Sequence, residues 1–111
     1  MLFSTVKITV FLATIVVAVS AQSGVFFGAP SCAGTQLQTV EYTNGLCVPS
    51  NGAVSVLLSN GDSTDNTIEA NFYTDLAHQD LSFTIDLGSG ESECVDIPGD
   101  IQSVGMDFLF L

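Results

Sequence analysis

Apolar and polar side chains alternate along several short segments of this chain. Between Leu81 and Leu87 every second residue is large and apolar, so an extended strand would place these side chains on one face and the polar ones on the other. A period of two with β-branched and aromatic residues predicts half-buried β-strands. The same period recurs in two further segments, at Val54, Val56 and Leu58 and at Val104, Met106, Phe108 and Phe110.

Turn-forming residues separate the alternating segments. Glycine and asparagine tolerate the positive φ that tight turns require. Short strands at this spacing predict an all-β sandwich or barrel. The turn clusters are Asn44-Gly45, Ser50-Asn51-Gly52, Asn60-Gly61-Asp62, Gly88-Ser89-Gly90 and Pro98-Gly99-Asp100.

The first 21 residues have the pattern of a cleavable secretory leader. Lys7 supplies one positive charge, and the run from Ile8 to Val19 that follows is apolar except for threonine. Val19 and Ala21 provide the small residues that a signal peptidase accepts. The apolar run is shorter than the roughly 20 residues that a membrane span needs. We therefore predict a signal peptide over 1–21, a secreted extracellular domain over 22–111, and no membrane insertion after cleavage.

The charge of the chain restricts its partners. The sequence has 12 acidic residues and a net charge of −11 at pH 7, and its only Lys or Arg is Lys7, inside the predicted leader. Nucleic-acid binding requires cationic side chains that neutralise phosphates, so a nucleic-acid partner is excluded. A cationic partner, divalent cations or simple solubility outside the cell remain as explanations of the charge.

The predicted domain contains two weakly similar halves. Each half has an aromatic pair, a Cys or His, an alternating strand, a glycine-containing turn, Cys-Val and Ser-Val. We predict a first motif over about 25–59, a linker over 60–69 and a second motif over about 70–110. The aligned pairs are Phe26-Phe27 with Phe72-Tyr73, Cys32 with His78, Cys47-Val48 with Cys94-Val95, and Ser55-Val56 with Ser103-Val104.

This order of features resembles the Greek-key motif of the βγ-crystallin superfamily, and in particular small secreted fungal proteins of crystallin-like or killer-toxin-like type. The resemblance implies two four-stranded Greek keys packed as a single β-sandwich. It also implies that Ser55 and Ser103 brace a folded-over hairpin in each motif by hydrogen bonding, although ordinary strand serines are the alternative. The segments that carry it are Asn71 to Asp75, Leu81 to Leu87, Cys94 to Gly99, Ile101 to Val104, Cys32-Ala33-Gly34 and Gly45-Leu46-Cys47-Val48.

The three cysteines allow one internal bridge and one remaining thiol. If the two motifs share their geometry, the resemblance implies a Cys32–Cys47 disulfide inside the first motif. His78 then occupies the position of the missing cysteine in the second motif, and Cys94 is left as an unpaired thiol. An intermolecular bridge through Cys94, a Cys47–Cys94 link and a Cys94–His78 nucleophilic pair are the alternatives.

Calcium is the one metal that the resemblance suggests. Some crystallin-type motifs bind Ca²⁺ through a loop of the form [Asn/Asp]-[Asn/Asp]-x-x-[Ser/Thr]-Ser. The stretches 50–55 and 98–103 match this pattern only in part, with Asn51 and Asp100 as weak ligand candidates. Calcium takes six to eight oxygen ligands, and these loops supply few. We therefore expect no cofactor, with weak calcium binding as a further hypothesis.

Catalysis is not expected of this chain. Acidic residues cluster around one predicted turn, at Asp86, Glu91, Glu93 and Asp96, but an acidic protein produces such clusters without catalysis. No zinc-ligand set, phosphate-binding loop or serine nucleophile motif is present in the sequence. We predict a non-enzymatic secreted protein that binds an extracellular protein or cell-surface component, or serves as a structural or effector-like component. A receptor-binding killer-toxin-like protein and a low-affinity calcium-binding protein are the alternatives.

Overall fold

The computed structural model describes residues 22–61 and 67–109, and the predicted signal peptide, part of the predicted linker and Phe110 lie outside these ranges. The described chain is all-β, as predicted. Its strands, in chain order, are β1 Gln22–Ala29, β2 Ala33–Tyr42, β3 Cys47–Pro49, β4 Ser55–Asn60, β5 Thr67–Tyr73, β6 Leu81–Leu87, β7 Ser92–Asp96 and β8 Ser103–Leu109.

Tight turns connect the strands at four of the predicted clusters. Turns lie at residues 44–45, 51–52, 89–90 and 99–100. Gly45, Gly52 and Gly90 have φ values of 84°, 79° and 79°, and this left-handed region favours glycine because a Cβ would be strained there. The glycine positions of these turns are therefore fixed by backbone geometry.

The strands form two antiparallel four-stranded sheets. Sheet A has the order β2-β1-β4-β7 and sheet B has the order β3-β8-β5-β6. β1, β2 and β4 of the first half lie in sheet A, and β5, β6 and β8 of the second half lie in sheet B. The remaining strand of each half pairs in the sheet of the other half, β3 in sheet B and β7 in sheet A. This exchange ties the two halves into one unit.

The two halves use the same pairing register. Phe27 of β1 lies opposite Ser55 of β4, and Tyr73 of β5 lies opposite Ser103 of β8. The aligned aromatic pairs and Ser-Val pairs of the sequence therefore occupy equivalent places in the two sheets. The structure has an internal approximate symmetry that the sequence expresses at few identical positions.

The core lies between the two sheets and is apolar. Phe72 stacks on Phe83 with ring centroids 4.4 Å apart, and the hydroxyl of Tyr42 donates a hydrogen bond of 3.0 Å to the carbonyl of Val104 in the opposite sheet. Removing these side chains from water drives the packing of the sheets. The largest fully buried apolar side chains are Phe26, Phe72, Leu58, Ile68, Met106, Val56 and Val104.

The disulfide joins Cys32 to Cys94, so the predicted Cys32–Cys47 bridge is wrong. Their Cα atoms are 6.0 Å apart, and Cys47 is the free cysteine. Cys32 ends a 3₁₀ turn between β1 and β2 that packs against β4 and β7 of sheet A. Because β3 and β7 exchange sheets, Cys47 lies in sheet B and Cys94 lies beside the turn instead.

No helix within residues 22–61 and 67–109 has the length and hydrophobicity to cross a membrane.

Candidate functional site

A cleft opens where three connecting loops meet. Its volume is about 290 Å³, near the lower end of the roughly 300–1,000 Å³ typical of ligand pockets. It is therefore sized for one or two side chains rather than for a large cofactor. The lining residues come from both halves of the chain and are Pro49, Ser50, Asn51, Gly52, Leu76, Gly99, Ile101 and Gln102.

Hydrogen bonds between the loops fix the floor of this cleft. The backbone N–H of Ser50 donates to the carbonyl of Gln102 at 2.9 Å, and its hydroxyl donates to the carbonyl of Ile101 at 3.2 Å. The N–H of Gln102 in turn donates to the carbonyl of Tyr73 at 2.8 Å. Ser50 and Ile101 are both buried. One belongs to the first half of the chain and the other to the second, so residues of both halves form the floor of the cleft.

One wall of the cleft is an exposed leucine on a capped loop. Leu76 is 58% exposed and belongs to the connection between β5 and β6. The carboxylate of the preceding Asp75 accepts backbone N–H bonds from Gln79 and Asp80, each at 3.1 Å. These bonds, that from Asp80 above all, lower the pKa of Asp75 because they stabilise the charged carboxylate. An apolar side chain is thus presented beside a carboxylate that stays ionised.

The two calcium candidates, Asn51 and Asp100, lie on neighbouring loops beside the cleft. Asn51 lines the cleft with φ of 53°, while Asp100 is exposed in the turn that follows Pro98. Within the described residues, no three His, Cys, Asp or Glu side chains are grouped so that they could hold a metal ion. The partial calcium pattern in the sequence thus fell on two of the three loops that line the cleft.

Ser55 and Ser103 are each the first residue of a strand, and each hydrogen-bonds to a connection between two other strands. The Ser55 hydroxyl donates to the carbonyl of Ala29 at 2.6 Å and accepts the N–H of Cys32 at 2.9 Å. The Ser103 hydroxyl donates to the carbonyl of Asp75, also at 2.6 Å. Both serines are fully buried. The Ser103 bond therefore anchors the loop that presents Leu76.

Cys47 and His78 occupy the places at sheet B that Cys94 and Cys32 occupy at sheet A. His78 has φ of 61°, close to the 56° of Cys32, and packs edge-on against Tyr73 with ring centroids 5.9 Å apart. Cys47 is half-buried on β3, and burial raises the pKa of its thiol. A raised pKa leaves little reactive thiolate at neutral pH.

Two residues of the predicted acidic cluster, Glu91 and Asp96, accept hydrogen bonds from backbone N–H groups. The Glu91 carboxylate accepts the N–H of Gly88 at 2.6 Å, closing the turn between β6 and β7. The Asp96 carboxylate accepts the N–H of Ser31 at 2.8 Å and so fixes the 3₁₀ turn beside the disulfide. Asp86 and Glu93 are exposed on strands of different sheets.

Comparisons of this chain with family models, with curated proteins and with solved structures find no match.

Sequence patterns did not identify Leu76 as part of a site. The loop from Thr74 to Asp80 has no alternation, and one leucine among polar residues is ordinary.

Proposed function

We propose that this chain is a secreted, non-enzymatic binding protein whose partner is cationic. The observation that carries the proposal is the unmatched surface charge. Every acidic residue in the described ranges is exposed or half-buried, and those ranges contain no Lys or Arg to balance them. Complementary charge speeds encounter and selects partners, so a positively charged extracellular protein or cell-surface component fits this surface.

The cleft is the place where such a partner would dock. Leu76 offers an apolar contact, and Asp75 and Asp100 stand next to lining residues in the chain. A partner side chain with an apolar stem and a cationic end, such as Lys or Arg, matches this combination. The rigid floor at Ser50 and Ile101 reduces the ordering that binding requires.

The architecture behind this proposal is a βγ-crystallin-like pair of Greek keys following a cleaved signal peptide. The exchange of β3 and β7 between the sheets supports it, as do the equivalent hydrogen bonds of Ser55 and Ser103. Secretion is supported by the leader pattern and by the Cys32–Cys94 disulfide, because such bonds persist in oxidising compartments.

Binding to synthetic peptides tests the proposal. Peptides of one length and increasing positive charge, each with one central Lys or Arg, should bind with rising affinity that falls as salt is added. Leu76→Ser should weaken this binding. Leu81→Ser is the matched control, since Leu81 is 54% exposed but does not line the cleft. Equal binding of anionic and cationic peptides, or equal effects of the two variants, would refute the proposal.

A further inference from the structure

Three of the five asparagines in the sequence are followed by glycine, at Asn44-Gly45, Asn51-Gly52 and Asn60-Gly61. Such pairs can modify themselves, because glycine has no side chain to shield its backbone nitrogen from the carboxamide carbon of the preceding asparagine. The reaction requires that the two groups are free to move toward each other and that water reaches them. The three pairs differ in these two respects.

Asn60 is protected by burial. Its side chain is fully buried at the end of β4. The carboxamide accepts a hydrogen bond of 3.0 Å from the Nε2 of Gln22 and donates one of 3.2 Å to the carbonyl of Leu87. Both the amide and the carbonyl of this side chain are therefore held inside the protein, away from water.

Asn44 is exposed, but both reacting groups of its pair are bonded to β8. The Oδ1 of Asn44 accepts the backbone N–H of Phe108 at 2.9 Å, and the N–H of Gly45 donates to the carbonyl of Met106, also at 2.9 Å. These bonds must break before the glycine nitrogen can attack. Each such bond makes the free conformation about two- to tenfold rarer, so the two together should slow the reaction by at least about fivefold.

Asn51 and Gly52 are the central residues of the turn between β3 and β4, and both are exposed. Within the described part of the chain, neither the Asn51 side chain nor the Gly52 N–H makes a hydrogen bond. The turn is closed by a bond of 3.0 Å from the N–H of Ala53 to the carbonyl of Ser50, which leaves both reacting groups free. This pair alone combines access to water with the absence of such bonds.

We propose that Asn51 is a site of self-modification, at which the secreted chain converts asparagine to aspartate or isoaspartate. The nitrogen of Gly52 attacks the Cγ of Asn51 and gives up its proton, the Cγ–Nδ2 bond breaks, and ammonia leaves. Water then opens the resulting succinimide ring at either carbonyl. The reaction consumes only water, and both products carry a carboxylate that the original side chain lacks.

The new carboxylate would appear at the cleft. Asn51 lines the cleft together with Leu76, and Asp75 and Asp100 stand next to lining residues in the chain. If the cleft receives a cationic side chain, as in the proposed function on which this step rests, one more negative charge should strengthen the contact. The affinity for a cationic partner would then rise as the secreted protein ages.

Peptide mapping by mass spectrometry tests the site. The purified secreted chain is incubated at neutral to mildly alkaline pH, and asparagine, aspartate and isoaspartate are quantified at the three pairs over time. We expect Asn51 to convert at least about fivefold faster than Asn44, with Asn60 the slowest. In the reduced and urea-unfolded chain the three rates should become similar, because the fold no longer distinguishes the pairs.

Two results of the mapping would overturn the proposal. One is conversion at Asn44 or Asn60 that is as fast in the folded chain as conversion at Asn51. The other is an Asn51 that stays intact in the folded chain while it converts in the unfolded chain.

Binding of cationic peptides tests the effect on the cleft. Asn51→Asp reproduces the aspartate product and should lower the dissociation constant by about two- to fivefold at low salt. Asn44→Asp is the matched control, since it adds the same charge in another Asn-Gly turn that does not line the cleft. Equal effects of the two variants would refute the change at the cleft. If neither the original chain nor the variants bind cationic peptides, the proposed function fails, whereas the conversion at Asn51 is decided by the mapping alone.

Discussion

At the scale of single residues, the two buried serines Ser55 and Ser103 show how this sequence holds its folded connections. The sequence already aligns the two Ser-Val pairs. The structure places them in matching register, in which each serine lies opposite the second residue of an aromatic pair. A hydroxyl is needed there because it is the hydrogen-bond donor to a partly buried backbone carbonyl.

Removal of either hydroxyl should destabilise the fold. Ser55→Ala and Ser103→Ala leave partly buried backbone groups without their partners, so we expect each to lower the free energy of unfolding by about 1–3 kcal/mol. Urea unfolding measures the change. The exposed Ser82→Ala serves as control, and equal stability of all three variants would contradict the role assigned to the hydroxyls.

The conformation of the loop that presents Leu76 should depend on pH, because the Asp75 carboxylate accepts its backbone N–H bonds. Its folded-state pKa is lowered, so its contribution is present above the ordinary value of 3.8 and is lost as pH falls through the lower folded pKa. In an NMR acid titration we expect the amide signals of Gln79 and Asp80 to shift in this range. Asp75→Asn should remove that transition, and an unchanged transition in that variant would assign it to another carboxylate.

At the scale of elements, the strands were predictable but their partners were not. A period of two is a local signal, and β6 spans Leu81–Leu87 as the alternation predicts. The exchange of β3 and β7 has no local signal, because it is set by packing between distant segments. The error in the disulfide follows from this, since Cys32 was assigned a partner in its own half. The cleft was not predicted either, because the loops that line it are distant in the sequence and meet only in the fold. The turn residues of two of these loops were identified.

The internal symmetry leads to a prediction about Cys47. The Cys32–Cys94 disulfide lies at sheet A, and the equivalent places at sheet B hold His78 and Cys47. His78→Cys should therefore form a second disulfide. Closing a loop of about 30 residues would raise the free energy of unfolding by about 3–4 kcal/mol in the chain-entropy model.

Peptide mapping under non-reducing conditions would identify this bond, and denaturant unfolding would measure the gain. His78→Ser is the control for loss of the imidazole and its contact with Tyr73. If Cys47 remains alkylatable in His78→Cys, the two halves are less alike around this loop than their backbones indicate.

At the scale of the whole molecule, the charge is unbalanced and is also unevenly distributed. The uncharged stretch 22–40 contrasts with the acidic remainder. On the outer face of sheet B, Glu69 of β5 lies opposite Asp86 on one side and Asp107 on the other. Three carboxylates thus form a row across adjacent strands. A cationic partner or added salt would reduce the repulsion among these three carboxylates. The stability of the fold is therefore linked to the binding proposed for it.

Neutralising the middle of this row should stabilise the protein. Like charges directly opposite each other on neighbouring strands are destabilising, so Glu69→Gln is expected to raise the free energy of unfolding by about 0.5–1 kcal/mol at low salt. The gain should shrink as ionic strength rises, because screening already weakens the repulsion in the original chain. Glu93→Gln removes the same charge, but Glu93 lies opposite Leu58 rather than another carboxylate, so its gain should be smaller. Denaturant unfolding of both variants at low and high salt separates the two cases. Equal gains in the free energy of unfolding would mean that the destabilisation comes from the net charge alone and not from the row of carboxylates.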